Sequence, residues 1–476
     1  MKTQTQFFKV SINKGKLIVL IYLLMSTTTF AQIETTLPSL RSMYQSSYTN
    51  PAYKLDHKFN MGLPIISNFV FNFGLNNFDL GTITKNIDTA GILDLNQLSR
   101  DIDNDRFGFR TGIVTDLLYV GFHVKDFYIG LGMTTRFNID ANLSKEFLNG
   151  SIFLKGQTVD FAGTNFEMLS YTETHVTVSK DIKKFRVGAR IKYLTGHANF
   201  AMEDIKMSTT TSNEVPYDIR LRAGGRIVTA GMPVLADKID GKDVTEDQKS
   251  FSSGDLINFG GGNSGWGLDL GITYQPTEKW FLQAAITDMG YINWRNKTFI
   301  YNLGDIDINY TGLSYEQLNT PDQRSAYIDS LTAILDNSKI VTSSFSRALP
   351  TRYMIGAEYH LNEKNRLGIM LQGQQLISGF RTAYTASFTK YLFDNWLFTA
   401  NYSLIDNQNS AVGIGWSFRA GPLQFFFVQD NILSIINMGT ARTLNFRMGM
   451  NIAIGRTNNE KKAPAIQAPA EPDTTP

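Results

Sequence analysis

Long stretches of the chain alternate apolar and polar residues with a period of two. Phe127, Ile129, Leu131, Met133, Thr135, Phe137 and Ile139 alternate with Tyr128, Gly130, Gly132, Thr134, Arg136, Asn138 and Asp140. Leu444, Phe446, Met448, Met450, Ile452 and Ile454 alternate in the same way with Asn445, Arg447, Gly449, Asn451, Ala453 and Gly455. Trp396 to Ser403 and Val412 to Arg419 repeat the pattern. Period two marks β-strands with one apolar and one polar face. A soluble sandwich and a membrane barrel share this signature, but sandwich strands run about 5–6 residues and barrel strands need about 9–11. The segments here have the longer length. Aromatics also gather at segment ends, at Phe127, Tyr128, Trp280, Phe281, Trp294 and Trp396, where an interfacial girdle would lie. The expected fold is therefore all-β, a transmembrane antiparallel barrel.

Turn chemistry sets the strand number. Lys125-Asp126, Asp181-Ile182-Lys183, Pro276-Thr277-Glu278, Asn362-Glu363-Lys364, Phe393-Asp394-Asn395 and Ala420-Gly421-Pro422 read as tight turns, being polar or rich in Gly, Pro, Asn and Asp. Longer connections lie between them, at about 143–164, 212–264, 295–346, 376–381, 404–410 and 430–441. Bacterial barrels put short turns in the periplasm and long loops outside. With both ends of the barrel in the periplasm, this gives about fourteen strands, in a range of about 12–16. The first hairpin has its arms near Lys58–Leu75 and Phe107–Val124, with an outer loop at 76–106. The strand from Phe185 runs on to about Thr211, longer than a bilayer needs, and with Asp218–Thr229 forms a hairpin above the membrane. Residues 314–337 carry Tyr327, Leu331 and Ile334 on one stripe and read as a single loop helix.

The ends of the chain follow other patterns. Lys2, Lys9, Lys14 and Lys16 precede the apolar run Leu17 to Met25, and Thr29-Phe30-Ala31 offers small residues for cleavage before Gln32. Residues 1–31 thus read as a secretory signal peptide. Its removal takes four of the 45 basic residues and none of the 43 acidic ones, leaving a nearly neutral chain that points to no nucleic-acid partner. Residues 32–56 hold Leu37, Leu40, Met43, Tyr44, Tyr48 and Tyr53, with Pro38 and Pro51 barring a regular strand. This segment is expected to enter the lumen as a plug, or to lie along the periplasmic rim. The barrel is assigned to 57–455, and residues 456–476, rich in Pro and Ala, to a disordered periplasmic tail. An epitope within 233–255 is expected on the cell surface.

Little in the chain points to catalysis. There is no cysteine, hence no thiolate ligand, nucleophile or disulfide. His57, His123, His175, His197 and His360 show no metal-ligand spacing. Gly260, Gly262 and Gly265 match a dinucleotide-binding spacing, but a strand follows them instead of the helix that motif needs. No cofactor is expected. The charged and amide residues on the polar strand faces say more: Arg136, Asp140, Glu173, Arg186, Arg190, Lys192, Asp269, Glu358, Gln372, Gln374 and Arg447 are candidate lumen-lining residues. They either pair across the lumen and stabilise it, or line a substrate path.

Several segments carry a resemblance. They are Tyr48-Thr49-Asn50-Pro51-Ala52-Tyr53, Gly62-Leu63-Pro64, Val187 to Gly196, Leu268-Asp269-Leu270-Gly271, Thr287 to Trp294, Gly421-Pro422-Leu423-Gln424, Asp430-Asn431 and Phe446 to Asn451. In this order they resemble a Bacteroidetes family of outer-membrane barrels known only as a domain of unknown function (type 5723). More distantly the chain is similar to FadL-type transporters of hydrophobic compounds and to barrel components of type IX secretion. The resemblance implies an outer-membrane location and no catalytic residues. Two functions are carried forward: a non-enzymatic channel or transporter for small or hydrophobic molecules, and a structural part of an envelope assembly. The partners would be outer-membrane lipid with a hydrophobic small molecule or with other envelope proteins. An outer-membrane hydrolase ranks third.

Overall fold

A computed structural model describes residues 33–87, 93–148, 156–214, 217–235, 238–239, 242–245, 262–304, 306–313, 338–376, 379–393, 395–406 and 409–456. The stretches expected to form the signal peptide and the 314–337 loop helix, most of the 233–255 stretch and the tail from 457 on lie outside the described residues.

Fourteen antiparallel strands close into a barrel. In chain order they are β1 (His57–Gly62 and Phe69–Asn76), β2 (Arg106–Val124), β3 (Phe127–Ser144), β4 (Asn165–Ile182), β5 (Phe185–Thr211), β6 (Asn263–Tyr274) and β7 (Trp280–Trp294). Then come β8 (Phe345–Ala348 and Arg352–His360), β9 (Asn365–Leu376), β10 (Gly379–Phe393), β11 (Trp396–Ile405), β12 (Asn409–Ala420), β13 (Leu423–Gln429) and β14 (Thr443–Arg456). Each pairs with the next, and β14 closes on β1 through Phe59↔Ile454 and Phe69↔Met448. Closure leaves no edge, so every strand finds ladder partners on both sides, the condition lipid imposes. Among the described residues the tight turns fall where the sequence puts them, and Lys125, Lys183 and Gly421 take the left-handed backbone such turns use.

The apolar faces point outward. Leu131, Ile191, Ile355, Ile369, Trp416, Met448 and Ile454 are exposed, and strand neighbours such as Gly130, Arg190, Met354, Met370, Ser417 and Arg447 are buried inside. The girdle needs correcting. Phe127, Trp280 and Trp396 are exposed, whereas Tyr128 and Trp294 are buried and Phe281 lies inside under Arg41. Tyr128 and Phe281 follow outward residues in the strand, and a period of two turns them in. Trp294 is turned in by a bulge, since the β6–β7 register shifts between Leu268 and Leu270 and Asp288 opposite has φ +59°. One extra residue reverses the parity beyond it.

β1 also departs from expectation. Residues 63–68 leave the ladder in mid-strand. Pro64 has no N–H to give the ladder, and Ile65 sits at φ +66°, where a β-branched residue is rare. The excursion satisfies its own backbone: Ser67 N bonds Leu63 O at 3.1 Å, Ile65 N bonds Asp116 O, and Met450 N bonds Ile66 O.

β5 rises beyond the membrane and pairs with Tyr217–Ala230, which carries Thr298–Asn302 and Ile306–Leu313 on its far edge. A bulge with Asp204 at φ +52° turns Ile205 and Met207 inward. They pack with Phe161, Leu221, Ile227 and Tyr301 into a small core above the barrel.

Candidate functional site

A fourteen-stranded lumen is wider than the eight-stranded one that wall side chains alone just fill. Here the N-terminal segment occupies it. Residues from Ile33 to Leu55 are almost all buried, and two short 3-10 turns, Leu37–Ser39 and Tyr44–Tyr48, shape the path. Glycines in the wall make room: at Gly188 a Cβ would fall on Pro51, and at Gly271 on Asn50.

The segment meets the wall through polar groups and apolar clusters alike. Thr35 N and Thr36 N donate to Asp430 at 3.1 and 2.8 Å. Arg41 pairs with Glu358 and lies over the Phe281 ring at 3.9 Å. Gln45 donates to Ser67 O in the β1 excursion and to Asn451. Ser47 accepts from Arg190 at 2.9 Å, Tyr53 donates to Gln283 at 2.5 Å, and Lys54 pairs with Asp181 at 2.8 Å. The apolar groups Leu37, Leu40 and Met43 pack on Leu397, Phe426 and Val428.

Ion pairs run through the middle of the lumen. Arg136 pairs with Glu173 at 3.1 Å, and Lys192 reaches Asp288 at 2.5 Å, Asp269 at 2.9 Å and Glu173 at 3.6 Å. Arg190 contacts Asp269 at 3.4 Å and stacks over Tyr48. Arg352 bridges Asp288 and Glu34, and Arg447 holds Glu34 at 2.6 Å and Asn68 at 3.0 Å. Asn68 in turn donates to Asp116, the fully buried acceptor of the Tyr44 and Tyr48 hydroxyls. Charge is nearly balanced along this chain, and nearly every member is out of water.

The structure places the eleven candidate lumen residues as follows. Arg136, Glu173, Arg190, Lys192, Asp269 and Arg447 join the central network. Asp140 pairs with Arg110 near the outer mouth at 2.8 Å, and Arg186 with Asp181 near the periplasmic end at 2.7 Å. Glu358 holds Arg41, with Arg366 at 3.8 Å. Gln372 donates to Glu34 O at 2.9 Å, and Gln374 lines a small void beside Ile33 and Glu34. His175 is buried against Tyr48 and Tyr119, and His123 contacts His57 O at 3.0 Å. Sequence reasoning missed Glu34, Arg41, Asp116, Asp288, Arg352 and Asp430. Asp288 has outward parity by counting, and only the bulge brings it in. Glu34, Arg41 and Asp430 lie outside regular strands, where no periodicity marks a face.

Two features bound the lumen above. Trp294 packs with Leu169, Tyr171, Leu194, Ile292 and Leu349 into an apolar ceiling. A cavity of about 200 Å³ lies between the Arg110 and Arg381 sides of the mouth, with Asp406 paired to Arg381 at 2.7 Å. Among the described residues no group of His, Cys, Asp and Glu is arranged to hold a metal ion.

Asp430 is the clasp on the start of the segment. Asp430→Ala is expected to leave the Thr35 and Thr36 amides without their acceptor, at about 1–3 kcal/mol. The measurable result is trypsin cleavage at Arg41 in a variant whose barrel stays folded; protection equal to the parent would show that the clasp is dispensable.

Solved structures similar in fold include a Pseudomonas aeruginosa FadL homologue (10% identity, 90% of this chain and 100% of that one, TM-score 0.41). The Pseudomonas putida toluene transporter TodX (10%, 89% and 98%, 0.38) and the CymD monoaromatic hydrocarbon channel (10%, 90% and 99%, 0.39) are others. No curated protein matches in sequence. The pattern of the family of unknown function DUF5723 matches residues 51–430, so the chain belongs to that family.

Proposed function

We propose that this chain is an outer-membrane channel or transporter for small or hydrophobic molecules, exported by its signal peptide and held shut by residues 33–56. The observation that carries this is the chemistry of the interface between segment and wall. Beside its apolar clusters the interface holds many polar pairs: Glu34, Arg41, Gln45 and Tyr53 face Arg447, Glu358, Asn451 and Gln283. Buried ion pairs stabilise a fold little better than apolar packing of the same volume, and often worse. A barrel that served only as a solid post would gain from an apolar filling. A polar filling can be replaced by water when the segment moves, so the filled and the vacated lumen are both tenable. A solute entering by the mouth between Arg110 and Arg381 would then pass down a hydrophilic wall. An apolar cargo has a second exit at the β1 excursion, where Ile65 and Ile66 face lipid and Gln45 of the segment holds the inner side.

Planar-bilayer recording tests the reading. Deleting residues 33–50 should convert a quiet barrel into one with frequent, large openings, and Asp430→Ala should raise the open fraction more modestly. Unchanged conductance in both variants, each shown to be folded, would overturn it.

The assembly reading rests on one feature. On the outer loop after β13, Ile435, Ile436 and Met438 are exposed, Ile436 at 74%. A stoichiometric partner lost from native membrane extracts on Ile436→Asp would favour that reading.

A further inference from the structure

The outside of the barrel carries a feature that closure does not require. A concavity of about 720 Å³ opens on the lipid-facing side of β6–β11, and a second of about 490 Å³ adjoins it toward the outer side, sharing Ile272, Ala284, Ile355 and Leu371. The register explains its form. One row across the strands reads Tyr274, Leu282, Ala357, Ile369, Ala386 and Tyr402. Alanines at the floor alternate with large apolar groups, and tyrosines stand at both ends. The outward side chains are apolar apart from tyrosine and threonine hydroxyls, and the volume falls within the usual range of small-molecule sites, about 300–1,000 Å³.

Its height narrows the occupant. Two residues toward the periplasm from Leu282 and Ala357 stand Trp280 and Tyr359, their rings 5.0 Å apart in the periplasmic girdle. The trough begins there at its periplasmic end, at Leu282 and Ala357, and climbs across the strands toward Phe380 and Leu404 near the outer ends of β10 and β11. Below it the rim exposes Lys184, Lys279, Lys364 and Lys390 against Glu278 and Glu363. Basic groups at this level attract anionic headgroups.

We propose that the trough is a specific seat for an anionic glycerophospholipid of the periplasmic leaflet, one acyl chain lying over Ala357 and Ala386 and the phosphate among Lys279, Lys364 and Lys390. Hydrocarbon meets the apolar floor, and the phosphate meets the excess of positive charge one girdle-width away. The seat is separate from the lumen and does not depend on transport.

Native mass spectrometry of the detergent-extracted full chain, titrated with phosphatidylglycerol, tests this. The parent should retain one lipid at saturation. Ala357→Phe with Ala386→Phe should weaken retention at least tenfold. Lys279→Ala with Lys390→Ala should erase the preference for phosphatidylglycerol over phosphatidylethanolamine. Ala189→Phe, on the lipid face of β5, should change nothing. Equal retention by the filled variant, or a dimer of the chain that the filled variant abolishes, would overturn the proposal. Should the filled variant misfold, phosphatidylglycerol with brominated chains reports on the parent alone: saturable quenching of tryptophan fluorescence supports a seat, and quenching that only tracks bulk lipid content refutes it.

Discussion

Lys192→Met is expected to be among the most damaging single substitutions in the lumen, at about 3–5 kcal/mol. Lys192 is fully buried, and its ammonium lies within 3.6 Å of Glu173, Asp269 and Asp288. Methionine keeps most of the volume and removes the charge. Three carboxylates then face one another, with only Arg136, Arg190 and Arg352 at their outer sides. Breaking a buried pair costs far more than the pair itself contributes, because the surviving charge stays out of water. The check is a urea titration of folding into lipid vesicles, followed by the heat-dependent gel shift of folded barrel. Lys192→Met with Asp288→Leu should be less destabilised than the sum of the two single variants, since residues in one network couple. A single-variant cost below about 1 kcal/mol, the range of exposed pairs, would mean that water reaches the network.

Met448→Arg and Ile414→Arg should each cost about 2–4 kcal/mol if they lie near the midplane. Met448 faces lipid between Phe427 and Phe69 on the neighbouring strands, and Ile414 lies opposite Ala400. Arginine there must either strip its guanidinium of water or reach for an interface. At Ile435, on the outer loop, the same change should cost almost nothing. Gly449→Arg, one residue from Met448, should fail by a different route, because its Cβ would meet Ser67 O and the Phe426 ring inside the wall. Refolding yields in vesicles of different thickness separate the two: the Met448 penalty should fall in thinner bilayers, and the Gly449 penalty should not. Equal tolerance of arginine at Met448 and Ile435 would overturn the assignment of faces.

The chain's own pattern determined the barrel, its strand number, its tight turns and the face each regular strand shows to lipid. Period two is a local property: once a segment is a strand in a closed sheet, alternate side chains have no choice of side. The same rule brought Arg136, Arg190, Lys192, Asp269 and Arg447 into the lumen from sequence alone. Tertiary structure decided whatever depends on a broken period or on distant partners. Trp294 and Asp288 point inward because of one bulge opposite Leu268 and Leu270, and bulges leave only a weak mark in composition. Arg41 finds Glu358, and Thr36 finds Asp430, across separations of 317 and 394 residues. The N-terminal segment has no strand ladder to fix it, so its path follows from the space that Gly188 and Gly271 leave and the acceptors the wall presents. A sequence can state that such a segment carries too many apolar groups to stay in water; only the closed wall around it decides where those groups go.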